Sequence, residues 1–229
     1  LLVISWAYAI GVFFSLIQSS AFQAAVAAQR FRRQVRRLVE PFVIVAGYGD
    51  AGRIVGADLD KHYRRFVVID KREDRVESVS SGQLSFDVPA LEGDCATPAV
   101  LGMAGLGHRE CEGVLALTND DDANLAVVMA TSLLRPDLPV LGRCAQQRTR
   151  TRMEHFAPAS AINADDRFGD YLALSIHRPV SHQLLRWLMD NDQEQLLPAR
   201  SDLAARRWLV CAEGEFGDAV LTDLAAIGV

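Results

Sequence analysis

Three short clusters in this sequence hold the residue types and spacings that could do chemistry. The first is Gly47-Tyr48-Gly49-Asp50-Ala51-Gly52, with Asp70 and Lys71 beginning eighteen residues after Gly52. The others are Asp94-Cys95, after Gly93, and Thr118-Asn119, before the acidic run Asp120-Asp121-Asp122. Glycines at this spacing allow a tight turn at Gly47, an approach of main chain to a pyrophosphate at Gly49, and close helix packing at Gly52. The free N–H groups and positive dipole end of a following helix would attract the phosphates. A carboxylate at Asp70 can accept hydrogen bonds from ribose hydroxyls and repels a 2′-phosphate, a preference that the neighbouring Lys71 and Arg72 soften. The chemistry indicated is capture of an adenosine-bearing phosphate ester.

The elements needed to position these groups are legible on either side. Phe42 to Ala46 is a β-branched and aromatic run that feeds the glycine turn, and Ala51, Ile54, Val55 and Leu59 then follow at helical spacing. A second apolar run, Phe66 to Ile69, ends in Asp70. Further strands are expected over 88–92, 113–118, 139–144 and 159–163, with helices over 98–104, 121–134 and 148–156. Thr97-Pro98 supplies a capping residue followed by a first-turn proline. Strands alternating with helices through short links define an α/β fold, a Rossmann-like doubly wound parallel sheet. Ligands on such sheets bind beyond the carboxyl ends of the strands, so Asp94 and the Thr118-Asn119-Asp120 turn should line the same cleft as Gly47 and Asp70.

Four stretches together resemble a known family: VIVAGYGDAGRIVGADL, VVIDK, EGDCATPAVLGMAGL and VLALTNDDDANLAVVMATSLLRPDLPVLGRC. They are similar to the regulator-of-potassium-conductance domain of the Trk-system N-terminal type, over roughly residues 42–190. The resemblance implies a cytosolic domain that binds NAD(H) or an adenine nucleotide such as ADP or ATP and regulates potassium flux. It also implies Asp94 and Cys95 near the adenine, Thr118 and Asn119 near ribose or phosphates, and domains paired in a homo-oligomer, expected as a homotetramer. The chain departs from the family pattern at Gly93-Asp94-Cys95-Ala96, where Gly-Asp-Ala followed by Thr or Ser is usual, so a hydroxyl is missing at Ala96.

The chain ends differ in character from this centre. Residues 1–29 contain no charged side chain, and as a helix they would extend about 43 Å, enough for a hydrocarbon core of about 30 Å. Arg30, Arg32, Arg33, Arg36 and Arg37 follow, the positive cluster expected where a helix leaves the membrane on its cytoplasmic side. A cleaved export signal, suggested by Ala24 to Ala28, would want its charges before the apolar run instead. An interfacial helix would want one apolar stripe, whereas residues 1–17 are apolar all round. The expected organisation is therefore a transmembrane helix over 1–29, of the pore-lining type by the family resemblance, then a basic linker over 30–41 and the nucleotide-binding domain over 42–163. Crossover helices broken at Pro179 should occupy 164–206, including a linker over 190–207, with Trp187 and Met189 offered to a partner groove by the resemblance or to an internal core otherwise. A shift of 165 places Gly49 on Gly214, Gly52 on Gly217 and Leu59 on Leu224, so 207–229 reads as the start of a second similar domain. Ala212 replaces its first glycine, and no phosphate is assigned there.

Composition excludes several other classes. An apolar fraction of 50% argues for an ordered core. Beyond residue 37 the chain holds 19 basic and 29 acidic side chains, which disfavours nucleic acid as a partner. Cys95, Cys111, Cys144 and Cys211 form no CxxC pair, and His62, His108, His155, His177 and His182 have no metal spacing. The functional expectation is a nucleotide-sensing, non-catalytic regulator attached to a potassium channel at the cell membrane. The alternatives are the regulatory tail of a potassium efflux antiporter and a membrane-tethered NAD-dependent oxidoreductase, for which no motif supplies a proton donor.

Overall fold

A computed structural model describes residues 6, 20–82, 84–157, 161–189, 209–211 and 214–226. They form two compact units, one built from 1–144 with 148–161 and the other from 145–147 with 162–229. In chain order the elements of the first unit are α1 (Ser20–Arg36), β1 (Phe42–Ala46), α2 (Asp50–Lys61), β2 (Arg65–Asp70), α3 (Glu73–Ser81), β3 (Ala90–Glu92), α4 (Pro98–Met103), β4 (Cys111–Ala116), α5 (Asp121–Leu134), β5 (Val140–Cys144) and α6 (Gln147–Phe156). A short β6 (Ala161–Asn163) follows. The sheet order is β3-β2-β1-β4-β5-β6, with parallel pairing of β1 to β2 and β4, β2 to β3, and β4 to β5. This is the doubly wound order, which reverses direction between β1 and β4.

Register brings the chemistry to one edge. Ala46 stands opposite Ile69 on one side and Ala116 on the other, so Gly47, Asp70 and Leu117 leave the sheet at the same level. Alternate strand residues fill two cores. Phe42, Ile44, Val67, Ile69, Val114 and Ala116 are buried against α4 and α5, while Val45, Phe66 and Val68 pack with Val79 of α3 and Val88 on the opposite face. Burial on both faces is why these strands read as continuous apolar runs.

Several boundaries differ from expectation for physical reasons. A helix at Glu73–Ser81 was not expected because its sequence is almost wholly polar and buries only Val79. Strand β3 shortens to Ala90–Glu92; Pro89 precedes it and contributes its carbonyl to Val68 N–H at 2.9 Å. Strand β4 runs from Cys111 to Ala116, so Thr118 lies outside the ladder and turns towards α5. Pro98 takes the first turn of α4 as expected, but Thr97 makes no side-chain cap bond.

The segment 30–41, expected as a linker, is helical as far as Arg36. Phe31 and Val35 are one turn apart on α1 and enter the main core beside Phe42 and Ile44. Gly105 (φ +92°) makes their seat possible: a Cβ there would lie 2.8 Å from Val35 Cγ1 and 2.9 Å from Phe42 Cζ. Arg30, Arg32, Arg33 and Arg36 stay exposed on the rest of the helix, and Arg37 is exposed just after it. Among the described residues no helix is long and apolar enough to cross a membrane. Residues 1–5 and 7–19, which hold most of the expected span, lie outside the described residues.

The second unit consists of α7 (Ala164–His177), α8 (Pro179–Met189) and α9 (Gly214–Ala226). Pro179 divides α7 from α8, as its missing N–H and fixed φ require. Ile176, Val220 and Leu224 form its core, with Leu172 and Val210 against them. Of the expected second glycine turn, α9 starts at Gly214 with φ +73°, Leu209 to Cys211 are not in a strand, and Ala212 lies outside the described residues. The expected linker over 190–207 and the Met189 side chain also lie outside them, whereas Trp187 is exposed.

The seating of α1 yields a stability test. Phe31→Ala should lower the free energy of unfolding by about 3–5 kcal/mol in denaturant titration, as for other buried aromatic truncations. Arg33→Ala, on the exposed face, should change it by about 0.5 kcal/mol or less.

Candidate functional site

The glycine turn is held between the ends of β2 and β4. Gly47 adopts φ +98°, and a Cβ there would lie 2.7 Å from Thr118 N and 2.9 Å from Leu117 C, so both its conformation and its neighbours require glycine. Its N–H donates to Ile69 O at 2.8 Å, while Leu117 N–H donates to Ala46 O at 2.7 Å. At Gly52 a Cβ would overlap the Gly47 carbonyl oxygen, which is how the first turn of α2 fits against the strand end. Gly49 has ordinary extended geometry (φ −74°) and caps α2 without a side-chain bond. The first N–H groups of α2 therefore meet no capping side chain, the condition for an anion seat.

Asp70 is 5% exposed and is the centre of the hydrogen bonding. Its Oδ2 accepts the Tyr48 main-chain N–H at 2.7 Å, and its Oδ1 accepts the Arg72 N–H at 2.9 Å. Arg75 Nη1 reaches Oδ2 at 3.3 Å. Main-chain donors from the turn and from the residue that caps α3 thus hold the carboxylate in place. Beside it, Lys71 Nζ lies 3.3 Å from Asp94 Oδ1, which also accepts the Ala96 N–H at 3.0 Å.

On the other side of the cleft stands Asn124, fully buried on α5. Its Oδ1 accepts the Thr118 N–H at 3.0 Å and lies 2.7 Å from the Thr118 hydroxyl. Its Nδ2 donates to Thr118 O at 2.9 Å and to Arg143 O at 2.8 Å. One amide with every donor and acceptor engaged therefore joins the ends of β4 and β5 and shapes the Thr118-Asn119 turn. Asn119 Oδ1 accepts from Arg143 Nη1 at 2.5 Å. Asp120 caps α5, accepting the N–H groups of Asp122 and Ala123 at 3.0 and 3.1 Å, so one of the three consecutive acids has a plain helix-start role.

The expected site residues consequently separate. Gly47, Gly49, Asp70, Lys71, Asp94, Thr118 and Asn119 lie at the carboxyl ends of β1 to β4, and Ala51 and Gly52 lie in the first turn of α2. The Tyr48 ring instead packs along α2, close enough that a Cβ on Gly56 would lie 2.9 Å from its Oη, and it contributes only main chain to the turn. The Asp50 side chain points out and pairs with Arg53 at 3.0 Å. Cys95 is 4% exposed within the main core, where burial first and Asp94 second push its thiol up to about 11. Arg75, Asn124 and Arg143 were not anticipated. Arg75 follows Asp70 by five residues in a helix that has no apolar pattern, and Asn124 and Arg143 bear on the site only through a tertiary contact.

This geometry defines a class: a Rossmann-type module with a glycine turn at the reversal of strand order and an acid at the end of the second strand. Residues 43–163, more than half of the chain, match the TrkA-N domain, and the chain belongs to that family. It is 24% identical over 162 residues, or 70% of its length, to an uncharacterized protein of Methanothermus fervidus. It is 29% identical over 122 residues, or 53% of its length, to a putative K(+) efflux antiporter KefB of Alkalimonas amylolytica. The chain covers 24% and 17% of these relatives' own lengths. Among solved structures, the NAD(P)-binding domain of an exopolyphosphatase-related protein from Archaeoglobus fulgidus superposes with a TM-score of 0.50 at 18% identity, covering 57% of this chain and 92% of that one. The GsuK channel bound to NAD superposes with a TM-score of 0.50 at 14% identity, covering 72% and 30%. These two likenesses establish the fold.

Three measurements check the local chemistry. At pH 8 iodoacetamide should label the exposed Cys211 and leave Cys95 unmodified in the folded chain. Because folding raises the Cys95 pKa from 9.0 to about 11, the unfolded thiol ionises first, and stability should decline as pH rises through that interval. Asp120→Ala should cost about 1 kcal/mol of stability in denaturant titration, the ordinary value of an N-cap.

Proposed function

We propose that this chain is the nucleotide-sensing part of a potassium-transport protein, in which occupancy of the glycine-turn cleft controls ion flux. The observation that supports it best is the turn itself. Gly47 and Gly52 occupy positions where a Cβ would collide with main chain, α2 starts uncapped, and Asp70 is held at the mouth, all within a TrkA-N domain. The ligand class is NAD(H) or an adenine nucleotide, in keeping with the NAD-bound GsuK channel of like fold. The reading is one of binding without turnover: Asp70 and Asp94 accept main-chain N–H groups, and the Cys95 thiol is buried in the core.

Regulation of flux requires a link to the membrane and an assembly through which domains act on one another. Residues 1–29 are proposed as the span, continuing into α1 and so into the core through Phe31 and Val35. Val180, Leu184, Trp187 and Leu188 are exposed on α8, an apolar face suited to pairing with a second copy. A tetrameric channel is the leading form. The similarity to a putative K(+) efflux antiporter KefB favours, as a second form, the regulatory tail of an antiporter.

The thermal midpoint of the purified chain should rise with NAD, NADH, ADP or ATP, because a ligand at 100 times its Kd stabilises the folded state by about 2.7 kcal/mol. Asp70→Ala should abolish that rise. Potassium flux through vesicles containing the complete protein should change when the same nucleotide is added to the cytoplasmic side. No shift with any nucleotide would refute the binding, flux indifferent to a bound nucleotide would refute the regulation, and hydride exchange from NADH would establish an enzyme instead.

A further inference from the structure

We infer that Arg75 is the residue that makes this cleft select a 5′-phosphorylated adenosine over adenosine itself, by exchanging its partner from Asp70 to the ligand's phosphate. The inference rests on the nucleotide-binding reading above. Its starting point is the position of the guanidinium. The Cβ position of Gly49 lies 3.3 Å from Arg75 Nη1, 3.5 Å from Cζ and 3.6 Å from Nη2, so the planar group lies broadside across the glycine. That is the face of the turn which the absent side chain leaves open to an anion. A cation over the first turn of α2 opposes the positive end of the helix dipole and is balanced here by the Asp70 carboxylate.

Asp70 itself separates its partners into fixed and movable. The Tyr48 and Arg72 donors are main-chain groups, at 2.7 and 2.9 Å, whereas Arg75 is held by one contact of 3.3 Å at the end of a side chain that is 31% exposed. Of the neighbouring cations, Arg72 grips Asp74 through two bonds of 2.9 and 2.6 Å and Arg53 pairs with Asp50 at 3.0 Å, while Lys71 reaches Asp94 at 3.3 Å; only Arg75 lies across Gly49. A phosphate seated on the N–H groups of α2 would come within reach of the guanidinium fork and bind it more strongly than the long contact it has now. The lone pair released on Asp70 Oδ2 then becomes available to a ribose hydroxyl. Adenosine without a phosphate must instead compete with Arg75 for the same oxygen. Phosphate and ribose recognition are therefore coupled through one side chain.

Isothermal titration of the full chain in detergent with adenosine, 5′-AMP, 2′-AMP and NAD tests this. For the unaltered chain 5′-AMP should bind at least about tenfold more tightly than adenosine, the factor expected of one charge-assisted contact. In Arg75→Gln that ratio should fall towards unity because 5′-AMP weakens, while adenosine binds as well as before or better. Arg75→Lys, which keeps the charge without the fork, should give an intermediate ratio, and it carries the test if the glutamine variant does not fold. Equal losses for adenosine and 5′-AMP would overturn the inference, as would an unchanged ratio. Dependence on Arg75 for 2′-AMP alone would overturn it as well, by placing the guanidinium at the other edge of the ribose. Binding of none of the four by the unaltered chain would refute the nucleotide site as a whole, an outcome distinct from binding that ignores Arg75.

Discussion

The bond from the Tyr48 main-chain N–H to the Asp70 carboxylate is the constraint on which the rest of the site depends. The glycine turn departs from the sheet in a conformation open only to glycine at Gly47, and no regular ladder continues to hold it. It is tied down from the β2 side by this carboxylate and from the β4 side by the close approach of Thr118. Removing the acid would leave a buried N–H without a partner, at a cost of about 1–3 kcal/mol, and would release the turn from its neighbour. The same oxygens that would recognise a ribose thus build the surface on which the phosphates would rest. Structural and binding demands fall on one side chain.

The parts of the molecule visible in the sequence are those in which each residue answers to its own chain neighbours. The runs Phe42 to Ala46 and Phe66 to Ile69 announce strands because both faces are buried, and the Gly47, Gly49 and Gly52 spacing announces the turn because main-chain sterics set it. The α5 bounds agree with expectation because Asp120 and Pro136 mark its ends chemically. By contrast, α3 is polar at nearly every position, and a single buried Val79 leaves no periodicity to read. The expected roles of Tyr48 and Cys95 illustrate a second limit. Their place beside Gly47 and Asp94 in the chain says which loop they belong to, but the side of the backbone on which each side chain falls is decided by packing. Both side chains turned into apolar clusters. Asn124 and Arg143 show the converse, since their bond to one another and that of Arg143 to Asn119 join segments far apart in the chain, while Arg75, five residues beyond Asp70, is hidden by the polar sequence of α3.

Helix α1 changes how the arginine cluster is understood. Phe31 and Val35 bury one stripe of it against Phe42 and the α4 region, so the arginines stand on a rod fixed to the first strand rather than on a slack tether. Packed side chains run without interruption from α1 through Phe42 and Ile44 to Ala46, the residue before the glycine turn.

The saturated amide of Asn124 has a consequence for where a bound molecule could exchange contacts. With all four of its bonds made and its side chain fully buried, Asn124 ties the ends of β4 and β5 together and leaves no polar group of its own for a ligand. The opposite side, at the end of β2, combines the main-chain bonds of Asp70 with two side-chain pairs of 3.3 Å, Lys71 to Asp94 and Arg75 to Asp70. The side-chain contacts that a bound molecule could exchange therefore lie on the β2 side of the cleft, facing a β4–β5 side whose buried amide is already saturated.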